Sequence, residues 1–466
     1  MSIEIQQVEV CEIPIQTRIP FRYGITTVRE VNHVIIQLTA SIDGEVVQGT
    51  AAENLMPRWF IKDKLLTISK EYKALIAVIK GAITHIKALR RGESVFELWS
   101  RLYELQKITF EQTYPPLLWS LGISLLERAL IDAYCRATKT TFHQALITNA
   151  FGIDLAFFYP ELSGVHPQDF IPAKPIDHIL VRHTIGLADP LEEENAGLKD
   201  GLPWNLQEIV QTYGLSYFKI KLSGELEWDR SRLESIQGIL RRDCNKFYIT
   251  LDGNENFKTM SSFQRYWNDL IDNDHMKQLL EHLLYIEQPV ARMNAFLESV
   301  DSKLPSIIID EADGELTSYK HAISCGYRGV SHKNCKGVLK SVANLALQEL
   351  YMRQGYITGE YQITSEDLSS IGPYSLLQDL AVAASLGIIH TERNGHHYFK
   401  GLNMFPDDLE QNILELYPDL YERHEDGFAK LSIRMGAISL GHVNQSPFGC
   451  RLQYNIKRLE TVQYSS

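Results

Sequence analysis

Short β-rich runs alternate with amphipathic helices across the middle of the chain, and this rhythm limits the possible folds more than any other sequence feature. The eight runs are 179–185, 216–222, 246–252, 283–287, 305–310, 328–332, 356–360 and 387–391. The helical patterns between them are clearest at 228–242, 258–281, 338–354 and 374–386. Such alternation predicts an α/β fold, a modified (β/α)8 barrel of the TIM type. A doubly wound open sheet is the alternative, but no Gly-x-Gly-x-x-Gly follows any run.

The residues on either side of this region have a different pattern. Strand-like runs joined at Asp43-Gly44 predict an antiparallel meander at 3–14, 33–42 and 45–50. Helical periodicity follows at 61–90, 95–107 and 117–147. We therefore expect an N-terminal α+β domain over 1–150, which we call the capping domain or cap, and a barrel domain over 151–400. The C-terminal segment, 401–466, is expected to pack back on the cap.

Composition argues against several classes of protein. The chain has 466 residues, a formal net charge of -12 and no obvious basic face, so neither nucleic acid nor membrane is an expected partner. The six cysteines are scattered, which argues against a zinc site or a disulfide framework. Neither a signal peptide nor a membrane-spanning run is evident. The expected location is the cytoplasm, with homo-oligomerisation left open.

Two lysines alternate with apolar residues in the second barrel run. Phe218, Ile220 and Leu222 share one face of this strand, and Lys219 and Lys221 share the other. The apolar face must meet the surrounding helices, so the lysines point into the barrel. A buried ammonium group is costly without an anion nearby, which predicts carboxylates opposite this pair. An edge strand with a solvated lysine face is the alternative.

Acidic residues end the next three runs, at the mouth of the predicted barrel, where barrel active sites form. They are Asp252, Glu287 and Asp310. A single acid after a strand is usually a helix cap or a turn former. Three converging carboxylates would repel one another unless a cation held them, and oxygen ligands favour Mg²⁺, with Mn²⁺ as a second choice. The sequence therefore predicts a metal site.

A further lysine, Lys333, follows the sixth run and would face Lys221 across the mouth. Lysines on opposite faces of a metal-bound carboxylate can remove and return its α-proton. The metal and neighbouring positive charges would lower the lysine pKa values toward a useful range. Lys336, three residues later, is expected to be a loop or helix-start residue.

These motifs resemble the enolase superfamily, and within it the muconate lactonizing enzyme-like subgroup of the mandelate racemase/muconate lactonizing enzyme family. The matching sequences, over roughly 215–340, are KIKLSG, LDGN, YIEQP, the Asp310-Glu311 pair and KNCKG. Weaker agreement extends to HTIGLADP, LLERALIDAYCRATKTTFHQAL and SIDGEVVQGTAAE. The mandelate racemase subgroup has a His on the seventh strand, whereas YITGEYQIT at 356–364 has none.

The resemblance implies a role for each matching residue. The metal ligands for Mg²⁺ would be Asp252, Glu287 and Asp310. Lys221 and Lys333 would be the acid/base pair, and Lys219 would tune Lys221 and help to hold the substrate carboxylate. Asn254 and Glu311 would support this centre from around it.

The resemblance also implies that loops of the cap close over the barrel mouth. The residues expected to reach the substrate are Arg22, Tyr23, Arg58 and Trp59. Glu392 follows the eighth run, where dipeptide epimerases place an acidic pair for the substrate ammonium group. The predicted partner is a small-molecule carboxylate.

The implied reaction begins with abstraction of the α-proton of this carboxylate to give an enediolate. Racemisation or epimerisation, cycloisomerisation or β-elimination would follow, as in muconate lactonizing or o-succinylbenzoate synthase-like enzymes, so the protein would be an isomerase or a lyase. Two alternatives are a metal-free barrel with a Schiff-base lysine and an inactive binding barrel. The three carboxylates argue against the first, and the presence of all five ligand and lysine residues argues against the second.

Overall fold

An antiparallel sheet of four strands, in the order β3-β2-β1-β4, begins the chain. The computed structural model of the protein describes residues 1–192 and 197–460. The strands are β1 (Ile3–Tyr23), β2 (Thr26–Ile42), β3 (Glu45–Asn54) and β4 (Arg91–Gly92). The predicted turn at Asp43-Gly44 joins β2 to β3, and both of its residues have positive φ. β1 extends nine residues past its predicted end at 14, because its pairing with β2 resumes at Phe21 after an irregular stretch.

Helices cover this sheet and complete the cap. They are α1 (Ile68–Leu89), α2 (Val95–Phe110), α3 (Pro116–Trp119), α4 (Leu121–Ala137) and α5 (Phe142–Ile147). Helix α4 is buried from Leu121 to Cys135. Gly49 lets β3 approach it closely, since a Cβ at this position would lie 2.0 Å from the carbonyl oxygen of Ala129. The single helical pattern predicted over 117–147 is divided, because Thr141 caps a new helix, α5.

Eight parallel strands form the barrel, which confirms the predicted fold class. They are β5 (His178–Ile185), β6 (Tyr217–Lys221), β7 (Tyr248–Asp252), β8 (Leu283–Glu287), β9 (Ile307–Ile308), β10 (Gly329–His332), β11 (Gln362–Ser365) and β12 (His390–Arg393). The strand order is β10-β11-β12-β5-β6-β7-β8-β9, and a parallel bridge between Ile309 and Val330 closes the circle.

The seventh strand does not lie where the sequence placed it. Residues 356–360 were expected to form it, but β11 begins six residues later, and Gln362 pairs with Gly329 of β10. Gly355 and Gly359 both have positive φ, so the residues between them form an irregular loop, with the Tyr356 side chain exposed. The fifth strand is also shorter than predicted.

Helices alternate with these strands. They are α6 (Leu206–Tyr213), α7 (Leu226–Asp243), α8 (Met260–Ile271), α9 (Asp274–Leu280), α10 (Ser318–Ser324), α11 (Val338–Arg353), α12 (Tyr374–Ser385) and α13 (Gly395–Tyr398). The pattern at 258–281 divides into α8 and α9, because the Asn273 side chain caps a new helix.

The C-terminal segment contacts both the barrel and the cap. Its elements are α14 (Asp407–Leu416), β13 (Tyr421–Arg423), β14 (Ala429–Leu431), β15 (Ala437–Ser439), α15 (Gly441–Asn444) and α16 (Lys457–Glu460). Strand β15 pairs antiparallel with β5. Gln37 in the cap donates to the carbonyl oxygen of Tyr454 at 3.1 Å, and Arg136 donates to that of Cys450 at 2.6 Å. None of the helices described over 1–192 and 197–460 is long and apolar enough to cross a membrane.

Candidate active site

Lysines and carboxylates meet inside the barrel at the carboxyl ends of the strands. Lys221 ends β6 directly beside Asp252, which ends β7 in the same register. The Lys221 ammonium donates to Asp252 Oδ2 at 2.5 Å. Both residues are buried, so each charge depends on the other for compensation. The inward orientation predicted for the lysines is the one observed.

The Lys219 ammonium lies among four carboxylates. Its Nζ is 2.5 Å from Glu287, 2.8 Å from Glu366, 3.0 Å from Asp252 and 3.1 Å from Glu392. Burial by itself would lower the pKa of Lys219, but the four negative charges outweigh burial and hold this pKa well above its usual value. Lys219 is therefore a fixed positive charge in this structure.

A second lysine–carboxylate pair occupies the ends of β9 and β10. The Lys333 ammonium donates to Asp310 Oδ2 at 2.5 Å, and Ser331 Oγ donates to Asp310 Oδ1 at 2.5 Å. Burial tends to raise the pKa of Asp310, but Lys333 and Lys336 lower it far more. Lys336 was expected as a loop or helix-start residue, and its buried Nζ also lies 3.3 Å from Asp310 Oδ1. This pair is therefore embedded in a larger network of charges.

The predicted metal ligands fit Mg²⁺ in their chemistry, while lysines neutralise them in this structure. Asp252 and Glu287 share the Lys219 ammonium, whereas Asp310 faces Lys333. Across 1–192 and 197–460, no three or more His, Cys, Asp or Glu side chains are arranged as a preformed metal site.

Unpartnered oxygen atoms are also found here, on Asn254 (Oδ1) and Glu311 (Oε2). Burial and the charges of Asp252 and Glu366 raise the pKa of Glu287 well above its usual value. Burial and the charge of Asp310 likewise raise the pKa of Glu311, to about 7. Buried carboxylate and amide oxygens are the atom types that a hard cation prefers.

Glu366 is a member of this cluster that the sequence reasoning missed. It follows β11 directly and accepts hydrogen bonds from Lys219, Arg182 and the hydroxyl of Tyr285. It was missed because the seventh strand was placed six residues too early. The signal was present in QITSE, an acid after a strand-like run, which is the rule that identified the other three acids.

Glu392 is engaged by the protein itself. Its carboxylate accepts hydrogen bonds from Thr184 Oγ1 at 2.5 Å, from Asn394 Nδ2 at 3.0 Å and from the backbone N–H of Asp367 at 2.9 Å. Together with the Lys219 contact, these bonds orient Glu392 toward the barrel interior. It nevertheless lines the same cavity as the lysines.

A cavity at the barrel mouth has charged residues on the barrel side and apolar residues on the cap side. Its cap-side wall consists of Phe21, Tyr23, Met56 and Trp59, and Leu368 completes this apolar surface. The barrel side contains the three lysines together with Asp252, Asn254, Asp310 and Glu311. A ligand in this cavity would place a polar end among the charges and an apolar end beneath the cap.

Of the four cap residues predicted to reach the substrate, two line the cavity. Tyr23 is in the wall, and the Trp59 ring lies beneath the Lys333 ammonium, 4.7 Å from it. Arg22 is exposed, because the alternation of β1 turns it away from Phe21 and Tyr23. Arg58 turns away as well: its backbone N–H donates to Glu71 Oε1 at 2.7 Å, and its guanidinium lies 3.7 Å from that carboxylate.

Side chains of the barrel hold the Trp59 loop in place. Arg292 donates to the carbonyl oxygens of Trp59 and Phe60 at 2.8 and 3.2 Å. Glu255 fixes Arg292 through an ion pair of 2.8 Å. From the cap side, the Lys62 ammonium donates to the carbonyl oxygen of Asn254. The loop therefore closes the cavity in the structure described here.

Comparison with known proteins identifies this architecture. No protein-family model and no curated protein sequence matches the chain. Among solved structures, the muconate lactonizing enzyme from Pseudomonas fluorescens complexed with muconolactone has a TM-score of 0.61 and 14% identity, and the match covers 98% of each chain. The dipeptide epimerase from Enterococcus faecalis V583, complexed with Mg and L-Leu-L-Tyr, has a TM-score of 0.60 and 14% identity. That match covers 94% of this chain and 97% of the epimerase.

A mandelate racemase/muconate lactonizing protein from Herpetosiphon aurantiacus is similar to the same degree. Its TM-score is 0.58 at 14% identity, with 95% of this chain and 98% of the other covered. Identity this low establishes the fold. The chain therefore has the barrel-and-cap fold of the mandelate racemase and muconate lactonizing enzymes, as its motifs predicted.

Proposed function

We propose that the protein is a Mg²⁺-dependent enzyme of the enolase superfamily that abstracts the α-proton of a small carboxylate. The observation that carries this proposal is the placement of Lys221 at the end of β6 and of Lys333 directly after β10. Three strands separate β6 from β10 in either direction around the closed barrel. Both lysines line one cavity, so a substrate between them would present one face of its α-carbon to each.

The residues that would hold Mg²⁺ are Asp252, Glu287 and Asp310. When bound, the ion would supply positive charge to stabilise the negative charge that develops on the substrate carboxylate. Mn²⁺ suits the same oxygen ligands. Lys219, kept charged by the surrounding acids, would hold the substrate carboxylate and would not accept a proton.

Lys221 and Lys333 would transfer the proton. The negative charge of Asp310 outweighs the effect of burial and raises the pKa of Lys333 above its usual value, so that Lys333 carries a proton here. That is the state from which a lysine can donate a proton to one face of an enolate. Removal of the α-proton by one lysine and its return by the other gives racemisation or epimerisation.

The same first step permits other outcomes. Ring closure would give cycloisomerisation, and loss of a β-group would give elimination. The described activities of the similar structures, epimerisation and lactonisation, support this reaction type. The apolar cap wall favours a carboxylate with an apolar group remote from the reacting carbon.

A Schiff-base mechanism is supported less well. It uses a lysine amine as the nucleophile and needs no cluster of carboxylates. Here Asp252, Glu287 and Asp310 all lie within ion-pair distance of the cavity lysines, an arrangement that such a mechanism does not require.

The proposal is tested by incubating the protein with a panel of carboxylates in D₂O containing Mg²⁺. Exchange of the α-proton is followed by NMR and mass spectrometry. We expect at least one carboxylate to acquire deuterium, and chelation of the metal to stop the exchange. Exchange that persists when Lys221 and Lys333 are both replaced by Ala would refute the assignment. Trapping of a substrate by borohydride would favour the Schiff-base alternative.

A further inference from the structure

A buried carboxylate of the cap contacts the start of the barrel helix α11, which follows Lys333 in the chain. Glu127 belongs to α4, and its side chain is fully buried. It accepts hydrogen bonds from the backbone N–H groups of Leu339, at 2.7 Å, and Val338, at 3.1 Å. These two residues begin α11, the helix that follows the Lys333 turn. We propose that Glu127 is a positioning residue that fixes this turn and thereby the location of Lys333; the inference rests on the proposed function.

The start of α11 needs an acceptor from outside the helix. The first N–H groups of any helix have no partner within it. The residue before α11 is Gly337, which has φ of 104° and no side chain that could cap the helix. Glu127 takes the place of a local cap, because each of its two carboxyl oxygens accepts from one of these N–H groups. A Cβ at Gly337 would lie 3.4 Å from Glu127 Oε2, so glycine leaves room for the carboxylate.

The turn between Lys333 and α11 is short and buried. Residues 334–336 form one turn of 3-10 helix, in which the Lys336 N–H donates to the Lys333 carbonyl oxygen at 2.9 Å. The Gly337 N–H then donates to the Asn334 carbonyl oxygen at 3.1 Å. Because every residue from 333 to 337 is buried, a shift at the start of α11 would be transmitted to Lys333.

Lys221 has no such dependence on Glu127. It lies within β6, which pairs with β5 and β7 on its two sides. Loss of the Glu127 carboxylate should therefore impair proton transfer at the Lys333 face and spare the Lys221 face. A general loss of packing between cap and barrel would affect both faces equally.

The test compares Glu127→Gln and Glu127→Ala with a matched control, Asp132→Asn. Asp132 lies in the same helix and is equally buried, but it accepts from the Thr50 N–H at 2.9 Å, within the cap. One measurement is amide hydrogen exchange over 333–341. The other is α-deuterium incorporation into each enantiomer of an active substrate. The Lys333-dependent enantiomer is the one whose exchange Lys333→Ala removes.

We expect faster amide exchange over 333–341 in both Glu127 variants. Incorporation into the Lys333-dependent enantiomer should fall about 10²-fold in Glu127→Ala, the usual result of a misplacement of about 1 Å. Glu127→Gln should lose less, because its amide oxygen can still accept one hydrogen bond. If only the Lys333 turn moves, deuterium incorporation into the other enantiomer should stay within about threefold of wild type in both Glu127 variants. In Asp132→Asn, incorporation into each of the two enantiomers should stay within the same limit.

Unchanged amide exchange over 333–341 in the Glu127 variants would overturn the inference. An equal loss of deuterium incorporation at both substrate faces would do the same, as would a selective loss at the Lys333 face in Asp132→Asn. Absence of exchange from every carboxylate with the wild-type protein would instead refute the proposed function. The amide measurement needs no substrate, so the two failures can be distinguished.

Discussion

Lys219 donates a hydrogen bond to Glu366 across the barrel interior, with 2.8 Å between Nζ and Oε2. The other oxygen of the same carboxylate accepts from Arg182, so one acid compensates two buried cations. The three side chains are almost completely buried. The interior of this barrel is thus a charged network in which each member depends on its neighbours.

Replacement of this acid, Glu366→Gln, should lower the free energy of unfolding by about 3–5 kcal/mol, the usual cost of removing one partner of a buried ion pair. Denaturant unfolding measures this change. The matched control is Glu349→Gln, which removes a surface pair with Arg353 at 3.8 Å and should cost less than about 1 kcal/mol. Equal effects of the two substitutions would contradict the network described here.

Single substitutions of the two proposed acid/base lysines should separate the two faces of the substrate. Lys221→Ala and Lys333→Ala should each slow α-proton exchange of one enantiomer by about 10²–10⁴-fold, because each removes one general acid or base. Deuterium incorporation into each enantiomer in D₂O is the measurement. If both variants keep wild-type exchange on both faces, proton transfer belongs to other residues.

Mg²⁺ should stabilise the wild-type protein, since a ligand that binds only the folded state at 100 times its Kd contributes about 2.7 kcal/mol. Glu287→Gln should abolish most of this stabilisation, because it removes one proposed ligand charge. Thermal unfolding with and without Mg²⁺ measures the effect. Asp367→Asn is the control, as Asp367 lines the same cavity but is not a proposed ligand. A full response to Mg²⁺ in Glu287→Gln would show that the ligand set is wrong.

Trp59→Ala should lower kcat/KM for an active substrate by about 5- to 30-fold, which corresponds to about 1–2 kcal/mol for a partly desolvated cation–π contact. Trp59→Phe should retain much of the activity, because it keeps an aromatic ring near Lys333. Arg22→Ala removes an exposed side chain of the same capping region and should change kcat/KM less than about twofold. Steady-state kinetics of the three variants measure these changes. An equal loss of kcat/KM in Arg22→Ala and Trp59→Ala would contradict the observed placement of the loop.

Local sequence patterns are sufficient to predict the barrel, the cap and most of the charged cluster. Strand alternation and the repeat of strand and helix are local patterns. The alternation alone predicts that Lys219 and Lys221 point inward. The same repeat placed Asp252, Glu287 and Asp310 at strand ends, because a residue that ends a parallel strand must lie at the barrel mouth. Glu366 was missed because the seventh strand was placed six residues too early. The run at 356–360 forms a loop, since Gly355 and Gly359 adopt positive φ.

Which distant residues meet these groups depends on tertiary packing. Phe21 and Met56 line the cavity while Arg22 and Arg58 turn away, because the register of β1 and the contact with Glu71 set their directions. The two hydrogen bonds that Glu127 accepts from the start of α11 join residues more than 200 positions apart in the chain. No local pattern encodes such a contact, because it exists only once the cap has packed on the barrel.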